Sequence, residues 1–269
     1  MLKRLKITFI IISLLAAIVH LVHALTFDRI IEYKEITFYS SRWPSQSEGY
    51  LIGFITDIHR MSKESLEIVA DELNLRNIDL LLLGGDFWFS DEHYQGSLAA
   101  LSKVKTTDGI FGVEGNHDDY VRLFAAMEAK GIIPLSNSGR QIKDGFYLAG
   151  VADLWNRSPS ISKAIAEACD NDFVLLLAHN PDVAMKQDTA EVDLILSGHT
   201  HGGQITFLGL WAPYFTFRNS ISEYGQRFVS GWADSKDATP VYVSNGIGEY
   251  LPRIFARPQV ILLTIKTYK

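Results

Sequence analysis

The sequence predicts an α/β domain, and three observations carry that expectation. Short apolar runs alternate with stretches of helical periodicity after residue 48. Five of those runs end in a small or turn residue followed by Asp, Asn or His. The composition, with 47% hydrophobic and 21% charged residues, is that of an ordinary globular chain without the polar bias of disorder.

A chain of 269 residues is long enough for one sizeable core, so one domain is expected, and no internal repeat is visible. The formal charge is −6; setting aside Lys3, Arg4 and Lys6 leaves 22 basic against 31 acidic residues, a balance of −9 over the rest. That balance excludes a nucleic-acid-binding face. The single cysteine, Cys169, rules out an internal disulfide and a Cys-rich zinc site. Its spacing from Ile161 and Ile165 predicts a buried, inert thiol on the apolar face of a helix.

The first 25 residues form a separate object. From Ile7 to Leu25 the chain is apolar except for Thr8, Ser13, His20 and His23, which as a helix is about 28 Å long and just spans a bilayer. It reads as an uncleaved membrane anchor, with a secretory signal cleaved after Val22-His23-Ala24 as the rival. Lys3, Arg4 and Lys6 precede the apolar run, so the N-terminus belongs in the cytoplasm and the domain outside it. His20 and His23 lie near the far end of the span and are given no chemical role. Residues 26–48 read as a polar connector dotted with aromatics, and residues 49–269 as the domain.

Within the domain the strand-like runs are Leu51 to Ile55, Leu80 to Leu83, Ile110 to Val113, Phe173 to Ala178 and Leu194 to Leu196. They lead respectively to Asp57 and His59, to Asp86, to Asn116-His117-Asp118, to His179, and to His199 and His201. Polar groups just beyond the carboxyl ends of strands in an open α/β sheet converge on one crevice, so these residues are expected to meet. One helix should bury Leu66, Val69, Ala70 and Leu73, and a later one Tyr120, Phe124 and Met127 before a stop at Gly131.

Histidine placement sharpens the expectation. Of the six histidines after the leader, His93 alone lies away from a strand end, in a polar loop where a surface role suffices. Taken singly, Asp57-Ile58-His59 could cap a helix, Gly85-Asp86 could be a turn, and Asn116-His117-Asp118 could lead into the next helix. Gly198-His199-Thr200-His201-Gly202-Gly203 is stronger, because two imidazoles one residue apart among glycines can face neighbouring metals. All five in one order point to a metal site rather than a structural role.

At this point the residues resemble the calcineurin-like metallophosphoesterases, whose pattern is Asp-x-His, Gly-Asp, Gly-Asn-His-Asp/Glu, a later His and Gly-His-x-His. The resemblance continues through Asn245-Gly246-Ile247-Gly248 and Arg257-Pro258 to the last strand, and is closest to a bacterial secreted or membrane-anchored phosphodiesterase branch. It implies a β-sandwich of two mixed sheets flanked by helices, with a dinuclear metal site at the carboxyl ends of strands. By the same resemblance Asp57, His59, Asp86 and His201 hold one metal, and Asp86, Asn116, His179 and His199 the other. Two divalent ions, manganese, iron or zinc, would share a hydroxide that attacks phosphorus. His117 would protonate or stabilise the leaving oxygen and Asp118 would orient its ring.

Here the chain departs from the phosphoprotein phosphatases, which have an Arg-containing Gly-Asp motif and Glu where Asp118 stands. Phe87-Trp88-Phe89 follows Asp86 instead. The departures favour diesters, pyrophosphates or small phosphorylated molecules. Related enzymes cleave the pyrophosphate of UDP-2,3-diacylglucosamine during lipid A synthesis, but that substrate faces the cytoplasm. A non-catalytic nucleotide- or partner-binding protein on the same fold is the other alternative.

A last feature concerns substrate. Phe207, Leu208, Leu210, Trp211, Tyr214, Phe215 and Phe217 crowd the segment before Arg218, beside the His199–His201 motif. Together with Phe87 and Trp88 they are either core or an apolar lip, with Trp211 and Phe215 in it, that grips a lipid-linked substrate or dips into the bilayer.

Overall fold

The computed structural model describes residues 1–87, 91–217, 221–248 and 252–268. Its strands are β1 (Glu32–Tyr39), β2 (Leu51–Ile55), β3 (Leu80–Leu83), β4 (Ile110–Gly112), β5 (Ile133–Pro134), β6 (Ser138–Lys143), β7 (Phe146–Gly150), β8 (Phe173–Leu177), β9 (Leu194–Ser197), β10 (Gly231–Asp234), β11 (Pro240–Val243) and β12 (Gln259–Lys266). Its helices are α1 (Leu2–Leu25), α2 (Lys63–Arg76), α3 (Asp91–Leu101), α4 (Tyr120–Glu128), α5 (Ile161–Ala164), α6 (Val183–Lys186) and α7 (Pro213–Phe217).

Among the described residues the strands form two six-stranded sheets, in the orders β1-β12-β2-β3-β4-β5 and β10-β11-β9-β8-β7-β6. Both are mixed: β2 to β5 and β7 to β9 are parallel, while β2 runs against β12 and β6 against β7. The period of two within each strand sorts the core. Leu80 and Leu82 face Phe146, Phe173 and Leu175 across the sandwich, while Leu81 and Leu83 pack against α2, α3 and α4. Because β3 is covered on both faces, its sequence is an unbroken run of leucines.

The ligand-bearing strands fall where the apolar runs placed them, to within a residue at their carboxyl ends. Helix α2 buries Leu66, Val69, Ala70 and Leu73 as its spacing requires, and starts where Ser62 accepts a hydrogen bond from the Ser65 amide at 3.1 Å.

Four expectations need correction. Asp119 caps α4 by accepting from the Val121 and Arg122 amides, and the helix it starts buries Leu123, Ala126 and Met127. Tyr120 stays outside, under the Arg157 guanidinium 3.8 Å from its ring centre. Cys169 is exposed, because α5 stops after one turn and the chain then bends where Asp172 accepts from the Cys169 amide. His93 lies within α3 rather than a loop. The segment read as a connector supplies β1, parallel to β12 along its whole length, and Trp43, whose indole N–H donates to the Ser47 carbonyl.

Trp43 is wedged between the rings of Tyr50, Phe146 and Phe173, at centroid distances of 5.8, 5.0 and 5.1 Å. Trp43→Ala should therefore destabilise the chain by about 3–5 kcal/mol, as truncation of a buried aromatic does. Denaturant titration of the full-length protein in detergent checks this, and an unchanged midpoint would mean that the segment is a linker after all.

Candidate metal centre

The carboxyl ends of β2, β3 and β4 in one sheet meet those of β8 and β9 in the other, and every residue singled out there arrives at one place. Asp57, His59, Asp86 and His201 form one group of converging ligand atoms, all within 4.8 Å of one another. Asp86, His179 and His199 form a second. Asn116 joins the second group, its Oδ1 3.1 Å from His179 Nε2. Asp86 is common to both.

The backbone has to be forced into this arrangement. Asp57, His59, Asp86, His199 and His201 all have positive φ, between 43° and 71°. Such conformations cost non-glycine residues of order 1–3 kcal/mol each and persist only where the surroundings over-determine them. Here hydrogen bonds do so. The Asp57 amide donates to Gly85 O at 2.9 Å and the His59 amide to Asp86 O at 3.0 Å. The His199 amide donates to the Asp57 carboxylate at 3.0 Å, and the His117 amide to Asp86 Oδ1 at 2.9 Å. Asp118 uses both oxygens on amides, accepting from Asp86, Phe87 and Gly115, so it locks the loop that carries His117.

Two histidines have their tautomers set by the carbonyls behind them. His179 Nδ1 donates to Gly84 O at 2.8 Å, and His199 Nε2 donates to Ile221 O at 3.0 Å. The inward nitrogens, His179 Nε2 and His199 Nδ1, then face each other at 3.2 Å. As neutral rings they would set lone pair against lone pair, with Asp86 Oδ2 only 3.3 Å from His179 Nε2. Such a contact calls for a proton on His179 or a cation held by these atoms.

The titration behaviour says the same. Burial holds His59 down to about 4 and His199 down to about 3, and lowers His201 well below its usual value, so these imidazoles are neutral at pH 7. Burial also opposes protonation of His179, yet Asp86 and its hydrogen bond push that ring up to about 10. Asp86 itself, although buried, is held well below the ordinary carboxylate range by His179 and His59. Burial raises Asp57 to about 6 and, with Asp86 beside it, Asp118 to about 7. The cluster attracts positive charge strongly. Imidazole, carboxylate and carboxamide donors without thiolate suit a divalent ion such as manganese, iron or zinc.

The sequence pattern matches the calcineurin-like phosphoesterase family model over residues 50–203. The chain belongs to that family. A metallophosphoesterase of Helicobacter pylori is 30% identical over 77% of this chain, which spans 57% of that relative's length. The metallophosphoesterase YkuE of Bacillus subtilis is 30% identical over 88% of this chain and 86% of its own length. The phosphodiesterase YaeI of Escherichia coli is 29% identical, with 80% and 82% covered.

Beside this phosphoesterase centre lies a pocket of about 500 Å³. His59, His117 and His201 line one side; Ile205, Tyr214 and Phe215 line the other. The expected lip divides accordingly. Phe215 is a buried pocket wall and Trp211 is exposed on the same segment without lining the pocket, but Phe87 is wholly buried with α2 and α3 and is core. Trp88, the side chain of Phe217 and Arg218 lie outside the described residues.

Sequence reasoning missed two neighbours. The Trp155 ring stands edge-on to His199 at 4.5 Å, and Asn156 Nδ2 donates to Asn116 O at 2.6 Å. Both follow β7, another strand whose carboxyl end points to the site; extending the same rule to the Gly150-to-Asn156 segment would have flagged them. Arg253 was missed as well. It is buried and donates to the carbonyls of Asn245, Gly248 and Ala256, and nothing in its sequence surroundings marks it.

Manganese at a hundredfold excess over its dissociation constant should stabilise the folded chain by about 2.7 kcal/mol. The rise in unfolding midpoint reads this without any substrate. Asp86→Asn should remove the shift, and an undiminished shift in that variant would place the cation elsewhere.

Proposed function

We propose that this chain is a two-metal hydrolase of phosphodiester or pyrophosphate bonds, acting on a lipid-linked substrate. The observation that carries this reading is the sharing of Asp86 by two ligand groups that open onto one pocket. One group comprises Asp57, His59, Asp86 and His201; the other Asp86, Asn116, His179 and His199. When bound, a pair of divalent ions supplies an activated water and positive charge against the phosphate oxygens.

The protein groups have distinct tasks. His117 is exposed at the pocket, its ring 5.5 Å from that of His59, and donates a proton to the leaving oxygen. Asp118 keeps it there by fixing the loop on either side of Asp86 and Gly115. No described lysine or arginine lines the pocket, as it would to clamp a phosphomonoester dianion. That supports a diester or pyrophosphate, and the name of the Escherichia coli relative points the same way. The apolar wall of Ile205, Tyr214 and Phe215 supports a substrate with a hydrocarbon part.

Helix α1 is long and apolar enough to cross a membrane, and most of its length is exposed. As a single-pass anchor preceded by Lys3, Arg4 and Lys6, it puts the catalytic domain outside the cytoplasm.

Turnover of a panel of phosphodiesters and UDP-linked lipids with manganese, iron or zinc tests the reaction class; no metal-dependent hydrolysis of any would refute it. His117→Ala should keep the metal-induced stabilisation but lower kcat by roughly 10²–10⁴ for poor leaving groups, and by much less for p-nitrophenolate. Equal losses for both would remove the acid role. A lipid-linked diester should show a higher kcat/KM than its water-soluble head group, and Trp211→Ser should narrow the gap. Equal values in both proteins would leave the reaction class standing and defeat the lipid preference.

A further inference from the structure

The anchor helix is not a loose tether, because its outer end is seated on the segment that forms the apolar side of the pocket. His20 lies 5.2 Å from the ring of Phe207 and 5.0 Å from that of Phe255. His23 stacks on Phe255 at 3.8 Å, and its Nδ1 meets Asp28 at 2.7 Å. Asp28 in turn accepts from the Phe255 and Ala256 amides.

His20 is one of four polar residues between Ile7 and Leu25, and its contacts explain it. Its Nδ1 donates to Ala16 O at 2.7 Å, and its Nε2 accepts from the Leu208 amide at 3.4 Å. Both nitrogens of a neutral ring are thus served, and so is an amide at the tip of the 205–211 segment that would otherwise have no partner in hydrocarbon.

Depth follows from helix geometry. His20 precedes the end of α1 at Leu25 by five residues, so Phe207 and Leu208 sit about 8 Å below the helix end along its axis. The tip is suited to that depth. Phe207 is 50% and Leu210 84% exposed, and Ile205, Leu208 and Trp211 add further apolar surface without an intervening charge.

We infer that residues 205–211 form a membrane-inserted edge, docked on the outer end of α1 through His20, with His23 stacked on the neighbouring Phe255, so that the pocket opens at the bilayer surface. Its partner is the lipid bilayer itself. Interfacial segments of this kind bury about 5–10 Å into the headgroup and acyl boundary, which agrees with the depth read from His20. Substrate then enters from the leaflet, with its phosphate at headgroup level beside His117 and its hydrocarbon part along Tyr214 and Phe215. This last consequence rests on the hydrolase reading above; the membrane contact does not.

The test uses the full chain with Cys169→Ala, carrying a nitroxide on a cysteine introduced at Leu210→Cys or Leu75→Cys, in phosphatidylethanolamine and phosphatidylglycerol vesicles. Both positions are highly exposed, so the labels should leave folding intact. Leu75 is at the end of α2, near the start of β3 and opposite the metal centre. The ratio of relaxation by oxygen to relaxation by a water-soluble nickel chelate should be several-fold higher at residue 210 than at residue 75. Equal ratios at the two positions would overturn the inference. Because the readout is depth and not turnover, an inserted but inactive protein would refute the hydrolase reading alone, and an active protein with a wet residue 210 would refute the membrane edge alone.

Discussion

The loops of the centre depend on one constraint, a buried Asp86 carboxylate whose charge has to be compensated. Its Oδ2 lies 3.4 Å from His59 Nε2 and 3.3 Å from His179 Nε2, rings that belong to different ligand groups. Its Oδ1 accepts the His117 amide from a third loop. A buried carboxylate is costly unless it is paired, and one this buried can be kept only by neighbours that hold cations or protons. The loops after β2, β3, β4, β8 and β9 are therefore tied to a single electrostatic requirement. The left-handed backbone at Asp86, with φ 58°, is held against its own preference by Asp118 accepting its amide and His59 donating to its carbonyl.

That requirement also dictates where glycine must stand. A Cβ on Gly85, where φ is +93°, would lie 2.6 Å from the Gly115 amide nitrogen, and one on Gly115 would collide with the Asp86 carboxylate. Neither strand end could approach the other with a side chain between them. The two sheets supply the rest. Packed face to face and covered by helices, they fix the strand ends rigidly enough for loops of a few residues to aim seven side chains at two points.

What could be read in the sequence follows from this architecture. The ligand-bearing strands are covered on both faces and so appear as continuous apolar runs that stop abruptly at a polar residue, a signal that survives without any structural context. Strand β1 gave no such signal. It is an edge strand whose burial alternates along Glu32–Tyr39, and its charged outward positions looked like a connector until its pairing with β12 was known. Phe87 illustrates the opposite error. A phenylalanine directly after a ligand looks like part of a substrate rim, but Asp118 holds its amide, and the turn sends the ring under α2 and α3. Local spacing cannot report which way a turn directs a side chain. Arg253 was illegible for a related reason, since it acts on the centre only through long-range contacts.

The same long-range contacts join the anchor to the chemistry. Asp28, immediately after α1, is buried and accepts the amides of Phe255 and Ala256. Arg253, two residues before Phe255, is buried too; burial lowers its guanidinium to about 10, which still leaves it charged at neutral pH. It draws together the carbonyls of Asn245, Gly248 and Ala256. From that loop the Ile247 amide donates to Thr56 O and the Gly248 amide to Asp57 O at 2.7 Å. The conformation of Asp57, with its positive φ, is thus supported from behind by a loop whose own shape depends on Asp28. The charge of the buried Arg253 is favoured by the carboxylates of Asp57 and, less strongly, Asp28, so the loop stands between a metal-ligand candidate and the residue that follows α1. The chain that leaves α1 thus shares the buried Asp28 with the scaffold of a ligand loop, so the position of the helix end and the shape of the loop that carries Asp57 rest on the same few hydrogen bonds.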